Sequence, residues 1–317
     1  MSGVPPRVRV ISDNDYSGDP DGLVQLAQHA LSPSVELALV IGSHLRPDDP
    51  FDPSDRSADN AAEAARAVLA LCGRSEVPVV AGSNVALGPP SGPGASSEAS
   101  PAARAIVAEA LREDPRPLFL CAGAGLTEVA AALRLEPAIA SRMTLVWIGG
   151  PEHPGLASPP PGAMPIEYNL LIDVPAAAEV FASELPIEQF ARDSYRQVLA
   201  STAELRVRMH GAGALGRHLF DALDAVSAMG AAHGLSFGET YALGDSPLVL
   251  ATALLSAFEP DTSSSRSVRV PRPGLSGEGQ YVAGTGGPDV RVYTAVDTRL
   301  LLEDLYAKLA LAGLSSR

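Results

Sequence analysis

The chain has 317 residues, a net charge of −14, 46% apolar residues and two cysteines. This length buries a large core and fits one α/β domain or two closely packed ones; we read 1–317 as a single domain. The charge excludes nucleic acid backbones and acidic membranes as electrostatic partners. No apolar run is long enough to cross a bilayer, and Met1–Arg9 has no apolar core of a secretion signal, so a cytoplasmic location is expected. Cys72 and Cys121 lie in apolar stretches and are expected to be buried free thiols of a reducing compartment.

In chain order, short β-branched runs alternate with longer Ala/Leu-rich segments. Val8–Ser12 reads as a strand, Gly22–Leu31 as a helix, Val35–Ile41 as a strand and Asp59–Leu71 as a helix. Val77–Ala81 is strand-like, Ala102–Arg112 helical, Leu118–Ala122 a strand, Thr127–Leu133 a helix and Met143–Ile148 a strand. Ala203–Ala232 has a helical pattern, and Ser267–Val296 contains short strands. This alternation predicts an α/β fold with a doubly wound, mainly parallel sheet, extended by C-terminal helices and short strands. Gly88–Pro101, Pro154–Pro165 and Pro260–Ser267 are rich in Pro, Gly and Ser and read as loops, the second a candidate lid. In sheets of this type ligands sit beyond the carboxyl ends of the strands.

At the end of the first strand stands Asp13-Asn14-Asp15-Tyr16-Ser17-Gly18-Asp19-Pro20-Asp21-Gly22. Four carboxylates this close repel one another, and a bound hard cation is the simplest offset. Helix capping by Asp19 and Asp21, with Pro20 in the first turn, accounts for only part of the set. An EF-hand loop is excluded because its twelfth position is Val24, where a bidentate Glu is needed, and a strand precedes it. The nucleophile motif of haloacid-dehalogenase phosphatases fits weakly, since the sole lysine, Lys308, falls in a terminal helical segment.

The loop resembles instead the D-x-D-P-G-x-D-D signature of inosine-uridine nucleoside hydrolases, in a longer form ending G-D-P-D-D, with Asp21-Gly22 where that form has Asp-Asp. The resemblance continues along the chain. Cys121–Glu128 (CAGAGLTE) resembles the family's T-G-x-L-T-N turn, and Ile148-Gly149-Gly150 its M-G-G. Ile166-Glu167-Tyr168-Asn169 resembles A-E-F-N, and Gly244-Asp245-Ser246-Pro247 resembles H-D-P. Read as a strand, Ile166–Asn169 would turn Glu167 and Asn169 to one face and Tyr168 to the other. A carboxylate beside an amide suits a vicinal diol.

The resemblance implies a nucleoside hydrolase-like fold and calcium-dependent hydrolysis of an N-glycosidic bond, with a nucleoside or related riboside as substrate. It implies that Asp15 activates water and binds Ca2+ with Asp245, a loop carboxylate (Asp19 or Asp21) and the Ala122 carbonyl. Asp21, Glu167 and Asn169 would hold the sugar. Ser43 and His44 stand where the family has an asparagine and are assigned to the same pocket. A homodimer or homotetramer is expected. Tyr16 and Ser17 replace the family's Pro-Gly, and two further departures bear on activity: Gly22 replaces an aspartate, and Gly244 replaces the histidine near the leaving base. Both favour an alternative, a sugar-binding relative that has lost hydrolysis. His153 and His233 are further histidines near loops, with structural roles the plainer reading.

Overall fold

The structure is a computed structural model that describes residues 5–88, 100–232, 234, 238–284 and 287–315. Its centre is an eight-stranded sheet. Six strands are β1 (Val8–Asn14), β2 (Val35–Gly42), β3 (Val79–Ala81), β4 (Leu118–Ala122), β5 (Thr144–Ile148) and β6 (Ile187–Phe190). They lie in the order β3-β2-β1-β4-β5-β6, all parallel. Val290–Ala295 extends the sheet parallel to β6, and Arg266–Val270 closes that edge in the antiparallel sense. The expected doubly wound, mainly parallel sheet is present.

Helices cover both faces, so neighbouring residues of one strand enter different cores. Val10 packs in one apolar cluster and Ile11 in the other; in β4, Cys121 joins the first and Leu120 the second. The covering helices are α1 (Asp21–Ala30), α2 (Ser57–Leu71), α3 (Pro101–Leu111), α4 (Thr127–Leu135), α5 (Tyr168–Ile172) and α6 (Val174–Ala182). The start of α3 shows the local logic: Ser100 Oγ accepts from Ala103 N–H at 2.9 Å, and Pro101 occupies the first turn.

Three expectations need correction. The helical pattern over 203–232 is interrupted: a π-type turn spans Arg206–His210, and a long helix restarts at Gly213, whose φ of +80° suits glycine. Both cysteines are free, but only Cys121 is buried; Cys72, at the outer end of α2, is half-buried. The Pro260–Ser267 loop is shorter than its composition suggests, because its last two residues already pair as a strand. Residues 89–99 of the first Pro/Gly/Ser segment, and His233, lie outside the described residues. Among those described, no helix is long and apolar enough to cross a membrane.

The strand order reverses between β1 and β4. Crossover connections leave opposite faces there, so the chain parts at the carboxyl ends of these two strands and opens a crevice. That opening locates the site.

Candidate functional site

β1 runs two residues past Ser12 because its neighbours hold it: Ser43 N–H donates to Asn14 O at 2.8 Å and Gly123 N–H donates to Asp13 O at 2.9 Å. Asp13 and Asn14 are thereby buried, and Asp15 emerges into a cleft of about 180 Å³. This volume is below the ~300–1,000 Å³ typical of small-molecule pockets and suits a sugar with its substituent at the mouth. Asp15, Asp19, Asp21, Glu167, Asn169 and Asp245 all line the cleft, beside Phe51, Tyr168, Tyr195 and Gly123.

Each acid is fixed by named partners. Asp19 Oδ1 accepts from Tyr241 Oη–H at 2.7 Å and from Asp21 N–H at 3.2 Å, which holds the longer loop against the first turn of α1. Asp21 Oδ2 accepts from Asp245 N–H at 3.0 Å. The side chain of Asn14 is oriented at both ends: its Oδ1 accepts from Asp15 N–H at 2.9 Å, and its Nδ2 donates to Asp245 Oδ2 at 2.9 Å. Gly22 adjoins that amide, since a Cβ there would lie 2.8 Å from Asn14 Nδ2.

Burial, then repulsion from Asp245, Asp19 and Asp49, holds the Asp15 carboxyl well above the usual carboxylate range. Asp21 is raised by burial and by Asp245 and Asp19. Asp245 is pushed up to about 7, mainly by burial, although the Asn14 amide opposes the rise. Asp13, behind the cleft and bonded by Ser43 Oγ, is pushed by burial to about 8. So many raised carboxyls mark a site short of positive charge.

Glu167 and Asn169 reach the cleft by a route other than the expected strand. Glu167 is the N-cap of α5, its Oε2 accepting from Leu170 N–H at 3.1 Å and from Gly150 N–H at 2.7 Å. Gly150 serves this contact with φ +87°, where a Cβ would stand 2.4 Å from Gln189 Nε2. A turn of helix brings Tyr168 into the cleft as well, where a strand would have turned it away. The Asn169 amide nitrogen donates to Gly123 O at 3.0 Å and Ile148 O at 2.8 Å, which leaves its Oδ1 as the acceptor. Burial raises the Glu167 carboxyl, against its hydrogen bonds from Gly150, Leu170 and Tyr195.

Ser43, His44 and Ala122 are not among the cleft-lining residues. The Ser43 hydroxyl turns down to Asp13. The His44 ring is bonded at 3.0 Å to Thr127 Oγ1 and at 2.9 Å to Leu45 O, behind the wall. Ala122 is the last residue of β4 and fully buried, so the next residue, Gly123, faces the cleft. Phe51 and Tyr195 were not singled out from sequence. Phe51 had a signal, a lone aromatic in an acidic Pro-rich loop; Tyr195 had none.

The donor set suits a hard cation: carboxylates of Asp15, Asp21 and Asp245 and a nearby carbonyl, all oxygen. Among the described residues, however, no three such groups are already gathered in a coordinating arrangement. The fit is one of chemistry and charge.

The model of the inosine-uridine preferring nucleoside hydrolase family matches residues 10–303. The chain belongs to this family. The inosine-uridine preferring nucleoside hydrolase of Leishmania major is 36% identical over 112 residues, 35% of this chain and 34% of that protein. That of Crithidia fasciculata is 33% identical over 97 residues, 30% of this chain and 29% of that protein. The matched stretch thus spans about a third of the length of these relatives. A solved purine-preferring ribonucleoside hydrolase from Gardnerella vaginalis covers 96% of this chain and 99% of its own, with a TM-score of 0.68 at 18% identity. That likeness shows a nucleoside hydrolase fold. The acidic loop that resembles the family's signature and the Asp245 segment that resembles its H-D-P both line the cleft built above from β1.

Proposed function

We propose that the chain hydrolyses the N-glycosidic bond of a nucleoside or related riboside. The observation that supports this most is the convergence of Asp15, Asp21, Glu167, Asn169 and Asp245 on one cleft at the switch point of a nucleoside hydrolase fold. Glu167 and the free Oδ1 of Asn169 accept hydrogen bonds from sugar hydroxyls and so fix the ring. Asp15, on the wall of the cleft, takes the proton of the attacking water, a role suited to a carboxylate whose proton affinity is raised by burial and by neighbouring acids. The surrounding carboxylates stabilise the positive charge that develops on the sugar as the bond to the leaving group lengthens. When bound, a hard dication such as Ca2+ supplies Lewis acidity and offsets the acids' repulsion; Asp15, Asp21 and Asp245 are the residues that would hold it.

The test is product analysis. Incubation with p-nitrophenyl β-D-riboside should release p-nitrophenol and free ribose in equal amounts, at a rate proportional to protein. Absence of ribose release with Ca2+ supplied would favour the alternative, a sugar-binding relative without hydrolysis.

A further inference from the structure

The cleft wall carries two features that together bear on the leaving group. Of its thirteen lining residues, five are carboxylic acids and three are aromatic, and none is a lysine, arginine or histidine. Gly244 makes the second feature possible. A Cβ at this position would stand 3.3 Å from Tyr195 Cδ2 and 3.4 Å from Asp21 Oδ2, so the missing side chain lets the Tyr195 ring lie close against the turn that carries Asp245.

Among the described residues, no phenol, imidazole or guanidinium beside the cleft is free to donate a proton to a departing group, and the lining acids Asp15, Asp21, Asp245 and Glu167 are the ones assigned to the cation and the sugar. Tyr195 Oη–H is bonded to Glu167 Oε1 at 2.9 Å, and Tyr168 Oη–H to Asp49 Oδ2 at 2.6 Å. His44 is bonded behind the wall, and His153 is bonded to Gln189 Oε1 at 2.8 Å and packed on Tyr281. Arg46 lies 6.0 Å from the Tyr168 ring centroid but is paired with Asp49 at 3.0 Å.

We infer that the site selects cationic N-ribosides of the N-ribosylpyridinium class over neutral purine and pyrimidine nucleosides. The inference rests on the hydrolase reading. Aromatic faces and carboxylates both attract a flat organic cation. In the reaction the water oxygen bonds to C1′, and the C1′–N bond breaks with its electron pair passing to the ring nitrogen. The pyridine departs neutral, and the water's proton goes to Asp15 and then to solvent. The single positive charge moves from ring to sugar beside the lining acids not assigned to the cation, Asp19 and Glu167, so its stabilisation is kept through the transition state. A neutral purine would instead leave as an anion facing carboxylates, or would need a proton that no histidine, tyrosine or arginine of the described wall is free to give.

The experiment compares kcat/KM of the full chain, with Ca2+ present, for 1-(β-D-ribofuranosyl)nicotinamide, inosine and p-nitrophenyl β-D-riboside. The pyridinium riboside should exceed inosine by about 100-fold or more, the lower end of what general acid catalysis contributes. Cleavage of p-nitrophenyl riboside with inosine equal to or better than the pyridinium overturns this inference and leaves the hydrolase reading standing. Cleavage of none overturns both. Inhibition of p-nitrophenyl riboside cleavage gives a second reading: the N-methylnicotinamide cation should inhibit at least tenfold more strongly than neutral nicotinamide, and equal inhibition contradicts the charge argument.

Discussion

The two ends of the central sheet treat charge in opposite ways. At the amino ends of β1, β2 and β4, carboxylates are matched with arginines. Arg9, only 2% exposed, holds Glu109 at 2.7 Å, while Arg112 holds Glu36 at 2.7 Å and Arg116 holds Asp114 at 2.5 Å. At the carboxyl ends of β1 and β4, the lining acids meet one another and no lining cation. The proton affinities follow. Arg116 draws the Asp114 carboxyl well below its ordinary value, and at Glu36 the bonds from Arg112 and Arg116 outweigh the burial that opposes them. Asp15 and Asp21 are driven the other way by burial and by each other's neighbours. Paired acids stabilise a fold; unpaired buried acids are kept for a ligand that supplies the charge.

Substitutions at the two ends should therefore separate activity from stability. The largest effect is expected of Asp15→Asn, which should keep the melting temperature within a few degrees and lower kcat/KM on the order of a thousand-fold, as loss of a base does. Near-normal turnover would remove Asp15 from the chemistry. Arg9→Met should do the reverse: it leaves Glu109 without its buried partner and should cost about 3–5 kcal/mol in urea unfolding, while activity per folded molecule is retained.

Asp245→Asn is a subtler test, made in the presence of chelator. The folded Asp245 carboxyl titrates at about 7, above its value of about 4 in an unfolded chain, so its ionisation destabilises the cation-free fold increasingly as pH rises between these values. The variant should then melt higher than the parent at pH 8, by about 3 °C, and the gap should narrow below pH 7 and close near pH 4. A lower melting temperature at pH 8 would show that the ionised group is paired. The smallest change is Tyr195→Phe, which removes the hydrogen bond to Glu167 and should reduce kcat/KM about three- to tenfold, mostly through KM.

Much of this architecture was legible in the residues. β-Branched runs separated by Ala-rich segments announced β1, β2, β4 and β5 within a residue or two, because strands buried on both faces read as continuous apolar runs. Asp15 and Asp21 were legible because a dense acidic loop at a strand end has few structural uses, whereas Asp245, which alone reads as a helix cap before Pro247, was legible only through the resemblance of its segment to H-D-P. The Glu167–Asn169 segment was misread, since four residues cannot distinguish period 2 from period 3.6 and the capping role of Glu167 depends on Gly150, distant in sequence. Ser43 and His44 were placed by position after β2, but the side chains turn to Asp13 and Thr127 instead. Tyr195 lies in a four-residue helix and meets Gly244, 49 positions later in the chain, at the cleft.

The most direct measurement is calorimetric titration of Ca2+ into the cation-free chain at pH 7.5, beside Asp15→Asn and Arg9→Met. The account predicts about one site per chain in the parent and in Arg9→Met, and a loss of at least tenfold in affinity in Asp15→Asn. No binding to the parent, or equal binding to Asp15→Asn, would contradict the claim that the unpaired acids at the carboxyl end of β1 form the site.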